Sequence, residues 1–328
     1  MPEISIVMAV YNAQEWIKRS LKSCQNQTFS DLEIICVDDC SSDRSVEMIK
    51  AEQKKDKRIV LLQNEKNMGP GQTRNRAISV AKGKYLAFID ADDFYEPDAM
   101  ETLYQLIRKY KTKAVFANWN IFQNGTKIPQ KKYEKKLYTV DKEADGFFIS
   151  PWAKLMDLDF IRRNRICFGS RFFADDCLFQ FKILANCDQI YLTDACVYNW
   201  SQENVSSITK DKRGSQRAFD FLEAMKSCYQ CMLEKKPAMF NPQAEAEKFY
   251  YACGMCAFKD FKKYCREVSS YVNTWSVSKS DFDRKKVWKK YIQLKHNQWF
   301  GIFMGTKVKK YKRACLRKIK TFFIGKSE

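Results

Sequence analysis

The 328-residue chain has a single histidine, His296. That scarcity argues against Ser–His and Cys–His catalysis and against histidine-rich metal sites. Acid–base work is left to carboxylates, Lys, Tyr or Cys. No run approaches the roughly 18 apolar residues that span a bilayer. The N-terminus has no basic region or small-residue cleavage site of the kind a secretion signal carries. Thirteen cysteines without such a signal are expected to be reduced thiols in a cytosol rather than a disulfide framework. There is no internal repeat.

The formal charge is +19 and it is unevenly spread. The segment 284–328 holds 15 Lys and Arg against one acidic residue, leaving about +5 for residues 1–283. The basicity therefore belongs to a tail. Within it, Val308, Tyr311, Cys315, Ile319, Phe322 and Phe323 share one helical face and lysines and arginines fill the rest. That pattern suits an interfacial helix on anionic lipid, with nucleic-acid binding and a solvated helix as competing readings.

The first 120 residues alternate strand and helix. Ile4–Val10, Glu33–Val37, Arg58–Gln63, Tyr85–Ile89 and Ala114–Ala117 are expected strands. Helices are expected from about Ala13, with Asn12 as its cap, and from Arg44, after Gly69-Pro70-Gly71 and after Pro97. Gly83 is placed as a helix stop. Such alternation implies βαβ units and a mostly parallel sheet. A hairpin or loop is expected over 124–136, helices over 215–235, 243–266 and 284–299, and a basic terminal segment after them. The expected organisation is an α/β domain over 1–213, divided near 120, and a helical region over 214–328.

Four acidic or glycine-bearing motifs carry chemistry. Tyr85–Ile89 runs into Asp90-Ala91-Asp92-Asp93. Carboxylates are costly to bury unpaired, so a buried strand ending in several presents them at a site. Hard oxygen ligands suit Mg²⁺ or Mn²⁺ accompanied by phosphate. Asp93 is read as a cap for the next helix. Asp38-Asp39 ends the second strand and serves either a base or ribose contact or an ordinary turn. Asn67–Asn75 joins a strand to a helix through Gly69-Pro70-Gly71. It is neither a P-loop nor a full dinucleotide fingerprint, because Arg74 stands where a third glycine would be. Asp175-Asp176 opens an apolar helix, as capping or as a general base. Cys228-x-x-Cys231 and Cys253-x-x-Cys256 offer a zinc reading, but both pairs fall in expected helices, where small core residues recur at that spacing.

Together, Val10-Tyr11-Asn12, Val37–Asp43, Asn67-x-Gly69-x-x-x-x-Arg74-Asn75 and Ile89–Asp93 resemble, in order and spacing, the family 2 glycosyltransferases of bacterial type with a GT-A fold. Trp152–Leu155, Asp175-Asp176 and Tyr198-Asn199-Trp200 with Ser206–Thr209 resemble the acceptor half of such enzymes. The resemblance implies a nucleotide-sugar donor, usually a UDP-sugar, and Mn²⁺ or Mg²⁺. It implies that Tyr11 lies against the nucleotide, Asp39 contacts the base and Arg74 sits near base or phosphates. Val10, Asn12, Asp38, Asn67, Gly71 and Ala91 complete the donor pocket. Asp90 takes ribose or the metal's shell, Asp92 the metal, and Asp176 the place of the base. The family pair is usually Glu-Asp; here it is Asp-Asp. Expected partners are a glycan or lipid-linked acceptor and an anionic membrane on the cytoplasmic side, reached through 284–328. Nucleic acid is not expected, and a homo-oligomer stays open. A nucleotidyltransferase and an inactive sugar-nucleotide-binding protein are the rival functions.

Overall fold

The structure is a computed structural model that describes residues 1–140, 147–169, 174–204, 215–253, 255–298 and 302. The chain divides into two compact units. Met1–Asp211 with Ser227–Met239 form one, and Lys212–Lys226 with Phe240–Glu328 form the other.

The first unit is built on one ten-stranded sheet, eight of whose strands run in the order β3-β2-β1-β4-β9-β6-β10-β5. β1 (Ile4–Val10) lies parallel between β2 (Leu32–Asp38) and β4 (Tyr85–Asp90), and β3 (Ile59–Gln63) extends that side. The helices α1 (Ile17–Gln25), α2 (Ser45–Lys55), α3 (Pro70–Val80) and α4 (Ala99–Tyr110) follow β1, β2, β3 and β5 (Phe94–Tyr95). β1 and β2 are almost wholly buried, as strands covered on both faces require. Beyond β4 the sheet becomes mixed. β9 (Lys154–Asp157) is antiparallel to both β4 and β6 (Ala114–Gln123), whereas β10 (Gln189–Ser201) is parallel to β6. The strand expected over Ala114–Ala117 thus continues to Gln123 and turns back into β7 (Thr126–Gln130). Asn124 and Gly125, both at positive φ, make that tight hairpin. β8 (Lys136–Thr139) pairs with β10. α5 (Leu158–Arg163) and α6 (Asp175–Asn186) complete the layer.

Two expected caps have other jobs. α1 begins at Ile17, not Ala13, and Asn12 sits at φ 47 with its Oδ1 accepting from Ser42 N. It ties the β1 loop to the β2 loop. Gly83 does not stop a helix, since α3 ends at Val80. A Cβ on Gly83 would lie 2.5 Å from Ser5 N, so glycine is required there by the close approach of β1.

α7 (Ser215–Lys235) contributes to both units. The helix expected over 243–266 is two, α8 (Pro242–Cys253) and α9 (Phe258–Val272), followed by α10 (Lys285–Lys295). Trp275 anchors the second unit, stacked 6.0 Å from Tyr291 and edge-on to Phe240 and Tyr271. α10 spends its apolar stripe, Val287, Tyr291 and Leu294, inside that unit and leaves Lys285, Lys286 and Lys289 exposed. Cys228, Cys253 and Cys256 are buried core residues. Among the described residues no three His, Cys, Asp or Glu side chains cluster with metal-holding geometry. No helix among them is long and apolar enough to cross a membrane. The amphipathic stretch 306–324, Ser206–Thr209 and the boundary at 213 lie outside the described residues.

Candidate active site

The carboxyl ends of β1, β2 and β4 face the same edge of the sheet, where open α/β sheets bind ligands. Asp39 follows β2 and is buried. Its Oδ1 accepts from Asn64 Nδ2 and Met68 N, and its Oδ2 from Gly69 N, all at 2.8 Å. The carboxylate therefore shapes the loop leading into α3, with lone-pair capacity left on Oδ2 for one more donor. Gly69 carries φ 83 there, which suits glycine. Asp38 is equally buried. One of its oxygens accepts from Ser41 N and the other, Oδ1, has no donor. Tyr11 lies exposed at the end of β1, open to a ring stacked on it. Asn67 is exposed as well.

α3 joins the two halves of the site. Arg74, only 7% exposed, donates to Asp90 Oδ1 at 2.7 Å and pairs with Asp175 Oδ2 at 3.6 Å. Its guanidinium lies 5.3 Å from the Phe168 ring centroid. Burial works against the Arg74 charge, but Asp90, Asp175 and Asp176 hold its pKa above the usual value. The next residue, Asn75, exchanges two hydrogen bonds with the Phe168 backbone. Gln72 donates to the Gly169 carbonyl. Gly169 N in turn donates to the Asp175 carbonyl. These amide contacts carry the segment before α6 to the donor edge. A Cβ on Gly71 would lie 2.6 Å from Asp175 Oδ2, so Gly71 admits that carboxylate to the N-terminus of α3.

The two acids of α6 then differ. Asp175 is buried, set against Arg74 and Gly71. Burial pushes its carboxyl up to about 7 against the pull of Arg74, and the Asp176 charge adds to the rise. Asp176, the next residue, is less buried than Asp175. Its pKa is raised by burial and by Asp90, and opposed by Arg74 and Lys154.

The acids after β4 also separate. Asp93 is not a helix cap, because α4 starts at Ala99 with Asp98 before it. Asp93 is buried, with Oδ2 accepting from Tyr198 Oη and Oδ1 from Ser201 N, each at 2.7 Å. Burial and the charges of Asp92 and Asp90 hold its carboxyl well above the usual range. It staples β10 to the acidic loop, and Tyr198 Oη also accepts from Asp90 N. Asp90 keeps a partly exposed carboxylate. Asp92 Oδ2 accepts from Asn204 Nδ2 at 2.8 Å, and Arg19 donates to its carbonyl. Burial and then the Asp90 charge raise the Asp92 pKa. Two hard-oxygen donors that repel each other fit a divalent cation, with a diphosphate supplying the remaining ligands. Asp92 and Asp90 are the residues that would hold it. Sequence reading missed Arg19 and Asn204, and it named Asn75, Lys154 and Tyr198 within motifs without giving them a role. A Tyr or Asn does not announce which carboxylate it will meet.

Comparison with known proteins places the family and the fold. The model of Glycosyl transferase family 2 matches residues 5–182. An uncharacterized glycosyltransferase of Methanocaldococcus jannaschii is 38% identical over 151 residues, 45% of this chain and 51% of that protein. The poly(ribitol-phosphate) beta-glucosyltransferase of Bacillus spizizenii is 33% identical over 171 residues, 51% of this chain and 27% of its own. The chain spans about half the length of the first curated relatives it matches. Among solved structures, S. aureus TarS 1–349 in complex with UDP-GlcNAc superposes with a TM-score of 0.77 at 18% identity, covering 95% of this chain and 92% of that one. Mannosyltransferase PcManGT from Pyrobaculum calidifontis, in complex with GDP-Man and Mn²⁺, gives 0.55 at 13%, covering 92% and 86%. On a GT-A fold shared with TarS, the chain belongs to glycosyl transferase family 2.

Proposed function

We propose that the protein is an inverting glycosyltransferase that moves a sugar from a nucleotide-diphosphate sugar to a hydroxyl of a glycan or lipid-linked acceptor. The observation that carries this reading is the pair of acids at the start of α6, where Arg74 of α3 pairs with both Asp175 and Asp90 of the acidic strand end and Asp176 is the less buried acid. In the proposed step Asp176 takes the acceptor hydroxyl proton as the oxygen attacks the anomeric carbon. The C–O bond to the diphosphate breaks, and its electron pair leaves with the nucleotide diphosphate. One displacement on the opposite face inverts the anomeric centre. A carboxyl whose pKa is raised is matched to that proton. Arg74 fixes Asp90, and Asn204 fixes Asp92, at the diphosphate end. A bound Mn²⁺ or Mg²⁺ would supply charge stabilisation to the departing diphosphate there.

The donor is proposed to be a UDP-sugar. The UDP-GlcNAc and UDP complexes of TarS support that class, and the GDP-Man and Mn²⁺ complex of PcManGT supports the general chemistry. A nucleotidyltransferase is disfavoured by Val10-Tyr11-Asn12-Ala13, which offers no basic triphosphate loop after the first strand. A thermal-shift screen against UDP-, GDP- and CDP-sugars with Mn²⁺, followed by product NMR, tests the reading. Stabilisation by UDP-sugars and an inverted product are expected. A retained anomeric configuration would sink the single displacement. Stabilisation without transfer to any glycan would leave the inactive binding protein.

Attachment to an anionic membrane through 284–328 is part of the proposal. The exposed lysines of α10 support it. Because the α10 stripe is buried within its own unit, α10 can contribute only through charge, and binding there would weaken with salt.

A further inference from the structure

Arg19 lies in α1 beside the buried stripe of Ile17, Ser20, Leu21 and Cys24, and it has no part in the mechanism above. α1 grips the acidic loop after β4 by its carbonyls. Ser20 Oγ lies 2.7 Å from the Ala91 carbonyl oxygen and 2.5 Å from that of Asp93. Arg19 Nη2 donates to the Asp92 carbonyl between them at 2.9 Å. The same nitrogen donates to Ser201 Oγ at 3.1 Å, and Nη1 donates to Glu203 Oε2 at 2.8 Å. The guanidinium carbon lies 4.8 Å from the Phe94 ring centroid and 5.2 Å from that of Phe122, contacts that favour a cation there.

Ser201 and Glu203 belong to the segment that leaves β10. Ser201 N donates to Asp93 Oδ1, and Gln202 N donates to the Phe122 carbonyl at 2.9 Å. Asn204 Nδ2 donates to Asp92 Oδ2 at 2.8 Å. Asp92 is therefore held at two points. Its carbonyl meets Arg19 directly. Its carboxylate meets Asn204, the neighbour of the residue with which Arg19 pairs. With side chains 30% and 29% exposed, the Arg19–Glu203 pair adds little stability of its own. Its consequence is geometric. A planar, forked guanidinium that spans the Asp92 carbonyl, Ser201 Oγ and Glu203 sets the spacing between the acidic loop and the β10 exit.

We propose that Arg19 is a positioning residue for the cation end of the site: it holds the Asp92 main chain and, through Glu203, the Asn204 amide on the Asp92 carboxylate, so that α1 and the β10 exit set that carboxylate together. This rests on the reading in which Asp92 holds a divalent cation. Arg19 touches neither cation nor donor in this role. It acts through Asp92 and Asn204, as the outer partners of metal-binding carboxylates do.

The experiment uses the full chain and two readouts that need no turnover. One is Mn²⁺ affinity by calorimetry in the presence of UDP. The other is the Asn204 side-chain amide in ¹H–¹⁵N spectra, assigned through the signal missing in Asn204→Ala. Arg19→Met, and Arg19→Lys, which keeps the charge but not the fork, should each bind Mn²⁺ about tenfold more weakly and shift the Asn204 amide. Glu203→Ala cuts the same link from its exposed end, so it guards against misfolding of the Arg19 variants and should move both readouts in the same direction. Arg19→Met combined with Asn204→Ala should lose less than the product of the two single losses. Affinity for UDP without Mn²⁺ should stay put, which a general loosening of the fold would not allow. A wild-type Mn²⁺ affinity in the folded variants overturns the inference, as do an unmoved Asn204 amide and a strictly multiplicative double variant. If Asp92→Ala binds Mn²⁺ as the wild type does, the assignment of Asp92 to the cation fails, while a shifted Asn204 amide in the Arg19 variants upholds the clamp.

Discussion

Five carboxylates open two regions of the first unit: Asp90, Asp92 and Asp93 at the end of β4, and Asp175 and Asp176 at the start of α6. In sequence both are runs of the same residue at an element boundary. In space neither run acts as a block. After β4, Asp93 turns inward to Tyr198 and Ser201, while Asp90 and Asp92 stay toward the ligand edge. At α6, Asp175 is drawn in against Arg74 and Gly71, and Asp176 stays half-open. Each run contains one acid that builds the scaffold and at least one that is left for chemistry. What sorts them is the surroundings each meets once the chain has folded.

Substitutions can test that sorting, beginning with the largest expected effect. Asp176→Asn should cut kcat by about 10²–10⁴, the usual range for losing a general base, with UDP affinity unchanged by calorimetry. A loss of UDP binding instead would make Asp176 part of the donor pocket. Asp93→Ala should leave the Tyr198 hydroxyl and Ser201 N–H without their acceptor and cost about 1–3 kcal/mol of stability in denaturant unfolding. Asp92→Ala, one residue away, should leave stability nearly intact and weaken Mn²⁺ binding, read by calorimetry in the presence of UDP. Equal destabilisation by the two would erase the distinction drawn after β4.

The α6 pair makes a subtler prediction. The folded-state pKa of Asp175, about 7, lies above its unfolded value of about 3.9, so the folded chain binds more protons between them. Stability from this group is therefore present at low pH and lost as pH rises toward 7. In Asp175→Asn that loss disappears, so the melting temperature relative to wild type should climb from pH 4 to 7.5 and then level off. A flat difference would mean that Arg74 fully compensates the buried charge. The smallest effect in solution is expected from removing 303–328, which spares α10 and its buried stripe. Turnover on a soluble acceptor should change little, while co-sedimentation with anionic vesicles should drop and should already be salt-sensitive in the full chain. Equal vesicle binding by both forms would remove the tail from the proposal.

Much of this was legible without coordinates. The apolar runs of β1, β2 and β4 are buried strands because continuous apolar sequence has nowhere else to go, and the acids that end β2 and β4 mark the ligand edge. The motifs Asp38-Asp39, Asn67–Asn75, Asp90–Asp93 and Asp175-Asp176 were enough to indicate the family. Local caps were less legible. Asn12, Gly83 and Asp93 have the composition of helix punctuation but are claimed by partners 30, 78 and 108 residues away. Propensity sees only neighbours in sequence, and these residues answer to neighbours in space.

The sequence by itself determined the strand and helix alternation, the family, and which carboxylates were available, since hydrophobic periodicity and motif spacing are properties of the chain. The tertiary structure decided how those carboxylates are used. The Asn75–Phe168 amide clamp brings α6 to the donor edge. The close fit at Gly71 draws Asp175 in, and the oxygens of Ser150 and Trp152 hold Lys154 at the start of β9. Those assignments depend on burial and on donors from distant segments, which exist only once the sheet has formed.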